Sequence, residues 1–523
     1  MKIYWKKVII LLALILPAGL NAQSNQRIAA TKITQLFDWI GDLYVDTVNF
    51  AKMSDEVIKR TLQQLDPHST YITRDEVRAM NEQLEGSYDG IGVSFGILND
   101  TIFVTSPVRG GPSEKVGIEG GDKIITVDGE NVAGIGIKTD DVHKKLRGPK
   151  GTSVTVGIYR RGHPALLSFR IDRDKIPLYS VEAAYKVTDN IGYIRLNRFS
   201  ATSKREFDEA LKKLKEAGIS DLILDLTGNS GGYMEVAAHL ANEFLERGQL
   251  IVYTEGENSR RRNYRADSSG DFQNGKLVVM IDEGSASAAE ILAGAIQDWD
   301  RGIIVGRRSF GKGLVQRQME FDDGSMLRLT VSRYHTPTGR VIQKPYNTDD
   351  DEYARGGARR SRMQTGELTG DASGMETDLQ QYQTLVKNRT VFGGGGITPD
   401  VFAAIDTSFQ SSYYGELLNR SIFSNFMLNY IDKNRKSLIQ QYPSFAQFDS
   451  QFVITEHMLN DLQNFAEKEG LAKNPEMFVK SQNHIELRIK SYIANNIWNT
   501  SEMYEVFNRG NPIYLKAVEA IEN

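Results

Sequence analysis

The chain has no cysteine among its 523 residues. It therefore cannot form disulfides, carry a thiol-linked lipid anchor or use a thiolate as nucleophile. It also has little net charge: 63 Lys and Arg against 67 Asp and Glu leave −4. Without long blocks of one sign, this balance gives no reason to expect nucleic acid as a partner. Arg359, Arg360 and Arg362 make only a small basic cluster. Histidine is scarce, at seven residues. No pair has zinc spacing, so a metal-activated water lacks support and no cofactor is expected. Long apolar runs are missing after the N-terminus, so no later segment is fit to cross a bilayer.

What remains is ordinary for a soluble globular protein: 40% apolar and 25% charged residues, with length enough for roughly three domains. Residues 1–22 stand apart. Lys2, Lys6 and Lys7 precede an apolar run over 8–20, and Ala22 offers a small residue for cleavage. This pattern predicts a cleavable signal peptide and export to the periplasm or cell envelope.

Four further regions differ in texture. Residues 23–85 show helical spacing at Ile33, Leu36, Phe37, Ile40 and Leu43, followed by the turn LDPHSTY (65–71). Residues 86–175 alternate short β-rich runs with glycine turns, including the hairpin signal Asp128-Gly129. Over 176–405, buried-strand patterns such as DLILDL, LVVMID and GIIVG alternate with helical stripes, which argues for an α/β core. One stripe is Ala288, Ile291, Leu292, Ala295, Ile296 and Trp299. A polar, charged stretch over 347–380 reads as a solvated insertion. Residues 406–523 are helical again, as in Ile485, Ile489, Tyr492, Ile493 and Ile497.

Three short segments carry chemistry. In VVMIDEGSASAAEILAGAIQDW (278–299), Ser285 and Ser287 lie between a strand and a helix. Ser287-x-x-Glu290 matches a capping box. The same place would also put a nucleophile beside unpaired N–H groups and the positive end of a helix dipole. A serine nucleophile needs a base, and no histidine motif is tied to Ser287. Lys312, in SFGKGLVQ, is the other candidate, with Phe310, Leu314 and Val315 as apolar neighbours. Burial there would lower an amine pKa from about 10.4. Gln316 could orient that amine without adding a charge. In DLTGNSGGY (225–233), Gly231 and Gly232 could turn backbone N–H groups toward an oxyanion. A plain strand-to-helix turn fits the last segment as well, whereas a phosphate loop would need a Lys-Ser/Thr ending that is missing.

Together these motifs resemble the carboxyl-terminal processing, or tail-specific, peptidases, which are serine–lysine proteases with a PDZ domain before the catalytic core. The resemblance covers about residues 40–405. EGSASAAEI matches the nucleophile motif and implies Ser287. FGKGLVQ implies Lys312 as general base and Gln316 as the residue orienting it. LDLTGNSGG implies an oxyanion hole from the backbone N–H of Gly231 or Gly232 and of Ala288. GIGVSFG is similar to a PDZ carboxylate loop and implies Gly90, Ile91, Gly92 and Val93 as receivers of a peptide C-terminus. LDPHSTY and GGITPD (394–400) are further family marks, expected to be structural. The implied fold is mixed α/β: a ClpP/crotonase-like core with an inserted PDZ domain between helical N- and C-terminal regions. The implied activity is endoproteolysis of proteins with accessible, apolar C-termini. Two rivals stand beside it: a PDZ scaffold that binds tails without cutting, and a serine–lysine hydrolase of another amide or a lactam. The chain departs from the family pattern at Thr227, Ser230 and Ala289, where arginine, proline and serine are common. For the C-terminal region a dimer interface, a cap and an adaptor site all remain open.

Overall fold

The computed structural model describes residues 17–267, 270–346, 357–370 and 379–523. The signal peptide expected over 1–22 lies outside these as far as position 16. The chain divides into two compact units, Met1–Leu65 and Asp66–Asn523. The first holds helices Pro17–Leu43 and Phe50–Gln63, joined by a Phe37–Phe50 ring contact at 5.9 Å. The predicted stripe lies on a helix, yet Ile33, Leu36 and Leu43 stay exposed and only Phe37 and Ile40 are partly covered.

The second unit is built on a six-stranded sheet. Its order is Val181–Lys186, Ile191–Leu196, Asp221–Asp225, Leu277–Ile281, Ile303–Gly306, Val401–Phe402. The first pair is antiparallel and every later pair parallel. Both faces are covered, which explains why its strands read as unbroken apolar runs. Leu222, Leu224, Val279 and Ile281 pack toward helices Ser203–Glu216, Met234–Ala241 and Ala288–Asp298. Ile223, Val278 and Met280 face the opposite way, onto Ile513, Ala517 and Ile521 of the last helix, Pro512–Glu522. An antiparallel sheet stands beside this core. The ten-residue strand Met326–His335 pairs there with Leu314–Glu320, Thr70–Ile72 and Leu250–Gly256.

The β-rich module has its own sheet, running from edge strand Val93–Ile97 to Leu167–Asp172, and its own core. Ser87–Gly90 pairs with Asp174–Pro177, so the chain enters and leaves the module side by side. The C-terminal helices Ser412–Asn419, Ile422–Gln441, Glu456–Lys468 and Pro475–Ile497 share a separate core. This bundle grips the module: Leu428 packs on Leu98 and Phe103, and Lys123 Nζ meets Asp432 Oδ2 at 3.1 Å. The helices after the bundle return to the α/β core.

The insertion over 347–380 is not uniformly solvated. Helix Gly357–Gln364 places Arg362, whose guanidinium donates to the carbonyls of Arg308 (2.6 Å) and Ser309 (3.2 Å). Glu367 pairs with both Arg308 and Arg362, and Leu368 is fully buried. Composition hides such a staple, because one apolar residue and one carboxylate shared by two arginines suffice to anchor a polar segment.

Candidate active site

The two serines separate at once. Ser285 is fully buried and committed: its Oγ donates to Leu226 O at 2.8 Å and accepts from Asp282 N at 2.9 Å. Ser287 precedes helix Ala288–Asp298 with φ 55° and ψ −113°. A side-chain-bearing residue rarely adopts such a backbone, and holding it there costs on the order of 1–3 kcal/mol. Neighbouring bonds hold it. Ala286 N donates to Asn229 O (2.9 Å), Ser287 N to Glu290 Oε2 (2.8 Å), and Ile291 N to Ser287 O (3.0 Å). Capping and cleft-facing readings are therefore compatible. Glu290 supplies the return half of the box, while Ser287 lines a cleft of about 430 Å³ together with Gly232, Lys312, Gln316, Arg328 and Tyr334.

Lys312 enters that cleft from a loop with glycine on either side. Gly311 takes φ 87°, and a Cβ on Gly313 would lie 2.8 Å from Gln343 N. Side chains at these positions would push Lys312 out of place. Burial lowers the Lys312 pKa from 10.5 to about 8, and the Arg328 guanidinium adds to the shift. Glu290 and Asp66 pull the other way. With that pKa, about a tenth of Lys312 is neutral at pH 7 and half near pH 8. Ser287 and Lys312 line the same cleft without a hydrogen bond between their side chains among the described residues; such bonds commonly tighten only in a substrate complex.

Both peptide units are braced from two sides. Glu290, 1% exposed, accepts Ser287 N and Lys312 N on one oxygen (2.8 and 2.9 Å). Its other oxygen accepts Gly311 N (2.7 Å) and Ser309 Oγ. Burial pushes this carboxyl up from its ordinary range, and the four donated hydrogen bonds pull against it. On the carbonyl side, the Tyr334 hydroxyl lies 3.2 Å from Ser287 O and 2.5 Å from Lys312 O. Burial holds that phenol well above its usual pKa, so it remains a donor.

Gln316 reaches the cleft by a different route from a simple strand alternation. Strand Leu314–Glu320 changes register between Val315 and Gln316, a bulge that re-aims the side chain. Its Nε2 is buried with no hydrogen-bond partner among the described residues. A buried donor left unmade costs about 1–3 kcal/mol, which suits an acceptor arriving with substrate or the lone pair of a neutral amine.

The glycine loop presses against Ser287. A Cβ on Gly231 would lie 2.8 Å from Ser287 Cβ and 3.0 Å from Ala288 N, with φ at 102°. Gly231 N–H, however, donates to Asn229 Oδ1 at 2.9 Å. Of the two glycines expected at an oxyanion hole, Gly231 thus has its N–H engaged within the loop, while Gly232 lines the cleft and Ala288 heads the helix. In the β-rich module, Ile91 O accepts from Ser113 N and Oγ, and Gly92 O from Val108 N. Gly90 closes the preceding two-stranded pair, and Val93 starts the sheet's edge strand. Helix Thr139–Leu146 flanks that edge, with His143 against Phe95 at 5.4 Å.

Residues 190–353 match the family described as peptidase family S41, and 103–160 match a PDZ domain. Residues 413–499 match a family of unknown function. Carboxy-terminal processing protease CtpB of Bacillus subtilis (strain 168) is 34% identical over 331 residues, 63% of this chain and 68% of that protein. The chain belongs to peptidase family S41. A probable CtpA-like serine protease of Staphylococcus haemolyticus (strain JCSC1435) is 35% identical over 62% of this S41 chain, which spans 64% of that relative's length. A solved photosystem II D1 C-terminal processing protease is 30% identical, covering 57% of this chain and 81% of that one, at TM-score 0.33.

Several residues of this candidate site gave no separate signal in the sequence. Tyr334 and Arg328 look like ordinary members of an amphipathic strand. LDPHSTY was expected to be structural, and Asp66 does accept from Ser69 N, His68 N and Thr330 Oγ1. Yet the same turn lies in electrostatic reach of Lys312. Burial, then Lys312, lowers the His68 pKa to about 4, so this imidazole is neutral at pH 7. A histidine therefore does stand near the cleft, brought there by tertiary packing.

Proposed function

We propose that this protein is a serine endopeptidase of the carboxyl-terminal processing type. Neutral Lys312 takes the proton from Ser287 Oγ as that oxygen attacks a peptide carbonyl carbon. Gly232 N–H and Ala288 N–H, with Gly231 shaping the loop, receive the oxyanion. Lys312 then passes the proton to the leaving amine, the C–N bond breaks, and an ester remains on Ser287. Water attacks the ester carbon while Lys312 accepts its proton; the bond from that carbon to Ser287 Oγ then breaks, Lys312 returns the proton to Oγ, and the new carboxyl terminus leaves. Gln316 orients the amine. The observation that carries this reading is one cleft containing a strained serine and a buried lysine, braced together by Glu290 and Tyr334.

In this reading the PDZ module selects the substrate. An apolar C-terminal tail adds as a strand to the Val93–Ile97 edge and places its carboxylate at Gly90, Ile91, Gly92 and Val93. The working location is the periplasm or envelope, reached through residues 1–22. The test is incubation of the wild type and Ser287→Ala with a loosely folded protein bearing an apolar tail, read by mass spectrometry. Discrete internal cleavage by the wild type alone is expected. Cutting by purified Ser287→Ala would overturn the assignment, and tail binding without cutting would identify a scaffold.

A further inference from the structure

The C-terminal region does more than hold the PDZ module. We propose that Arg195, clamped by Tyr504, is the positioning residue that sets the glycine loop 226–233 for catalysis. This rests on the serine-peptidase reading above.

Arg195 lies on strand Ile191–Leu196, in register with Asp225 at the end of the next strand. Its guanidinium spends its donors on the root of the loop. Nη1 donates to Asp225 Oδ2 (2.6 Å) and Thr227 Oγ1 (2.8 Å), and Nη2 to Thr227 O (3.0 Å). Asp225, fully buried, also accepts Tyr193 OH (2.5 Å) and Thr227 N (2.7 Å). Thr227 is thus fixed through its N–H, carbonyl and hydroxyl by one ion pair. Only four residues on is Gly231, packed against Ser287.

The other side of the guanidinium belongs to the C-terminal region. Nε donates to Glu182 Oε2 at 3.0 Å. Tyr504, on helix Thr500–Phe507, lays its ring 4.7 Å from the guanidinium carbon and donates its hydroxyl to the same Glu182 oxygen at 3.0 Å. Ser501 on that helix accepts Ala184 N at 3.1 Å, docking it on strand Val181–Lys186. A planar fork held by a carboxylate and an aromatic face cannot rotate away from its acceptors.

The fork has a reason to be needed. The loop borders a cavity of about 510 Å³, lined by Gly228, Ser230, Gly231 and Gly232 together with Arg195 and Tyr504. A glycine-rich segment beside open space keeps its shape through its anchors, and an error of about 1 Å at an oxyanion donor is enough to reduce catalysis about 100-fold.

The test compares full-length wild type, Tyr504→Leu and Arg195→Lys. The lysine keeps a charge beside Asp225 but loses the fork, and the leucine leaves Arg195 in place if the lysine variant folds poorly. Two readouts are taken: kcat and KM on the tail-bearing substrate, and backbone hydrogen exchange over 226–233 by mass spectrometry. Expected is a kcat lower by about 10- to 100-fold with KM within about threefold, and faster exchange confined to the loop. Unchanged kcat and exchange would overturn the proposal. So would exchange that rises across the whole core with kcat and KM failing together, the mark of a merely structural role. If the wild type cuts nothing, the peptidase reading fails and the exchange result still decides whether Arg195 and Tyr504 hold the loop.

Discussion

Lys312→Met is expected to abolish cleavage and at the same time make the protein more stable. The loss of the only proposed base should lower kcat/KM by about three to four orders of magnitude. The gain follows from linkage. Lys312 is buried, and its folded pKa, about 8, lies below the ordinary 10.5. The folded state therefore disfavours the charged amine, fully so below pH 8. The penalty fades as the pH rises toward the unfolded pKa, where both states release the proton. At about 1.4 kcal/mol per unit, the charged lysine costs folding up to about 3 kcal/mol at pH 7. Methionine keeps the apolar stem and removes the charge. Denaturant unfolding at neutral pH should show the variant more stable, with the gap closing near pH 10 to 11 (approximate, from the same linkage). An equally stable or less stable variant at neutral pH would mean that the wild-type amine is not disfavoured in the fold.

Glu290→Gln is expected to damage both stability and turnover. Four donors converge on this carboxylate: three backbone N–H groups and the Ser309 hydroxyl. Glutamine offers one acceptor oxygen and turns an NH2 toward two donors. Two buried groups lose their partner, at about 1–3 kcal/mol each. The functional loss should be larger than the fold loss implies, because the two reacting residues hang from the same oxygen of Glu290. With the Ser287 and Lys312 N–H groups no longer tied, kcat should fall about 100-fold or more while KM changes little. Thermal unfolding together with steady-state kinetics checks both parts. A stable Glu290→Gln enzyme with wild-type kcat would show that the brace is dispensable.

The sequence made some of this legible and hid the rest for physical reasons. Strands buried on both faces announce themselves as apolar runs, so LVVMID and DLILDL located the core sheet. The turns that carry Ser287 and Gly231 were readable because small residues between a strand and a helix are a local feature, and the loop of Lys312, between two strands, because its flanking glycines are. Glu290 was readable as a helix cap, but its bonds to Gly311 and Lys312 span more than twenty residues and leave no periodic trace. Tyr334, Arg328 and Arg195 sit on strands where a tyrosine or arginine is unexceptional; register and packing alone bring them to the site. The C-terminal stripe showed helices but not their targets. Tyr504 and Ala517 occupy similar amphipathic patterns, yet one meets Arg195 and the other seals the second face of the core sheet. Gln316 shows the limit of period counting, since the bulge after Val315 shifts its register and leaves no mark in the sequence.

The account depends on Lys312 reacting as a neutral amine, a form that burial and Arg328 make more abundant by lowering its pKa to about 8. Its most direct test is the rate of Ser287 phosphonylation by a fluorophosphonate probe across about pH 6 to 10, in the wild type and in Arg328→Gln. The wild-type rate should rise with pH through one ionisation near pH 8. Removing the neighbouring positive charge favours the ammonium, so the midpoint in Arg328→Gln should move upward. A pH-independent rate, or a midpoint that stays put or falls in the variant, would contradict the role given to Lys312.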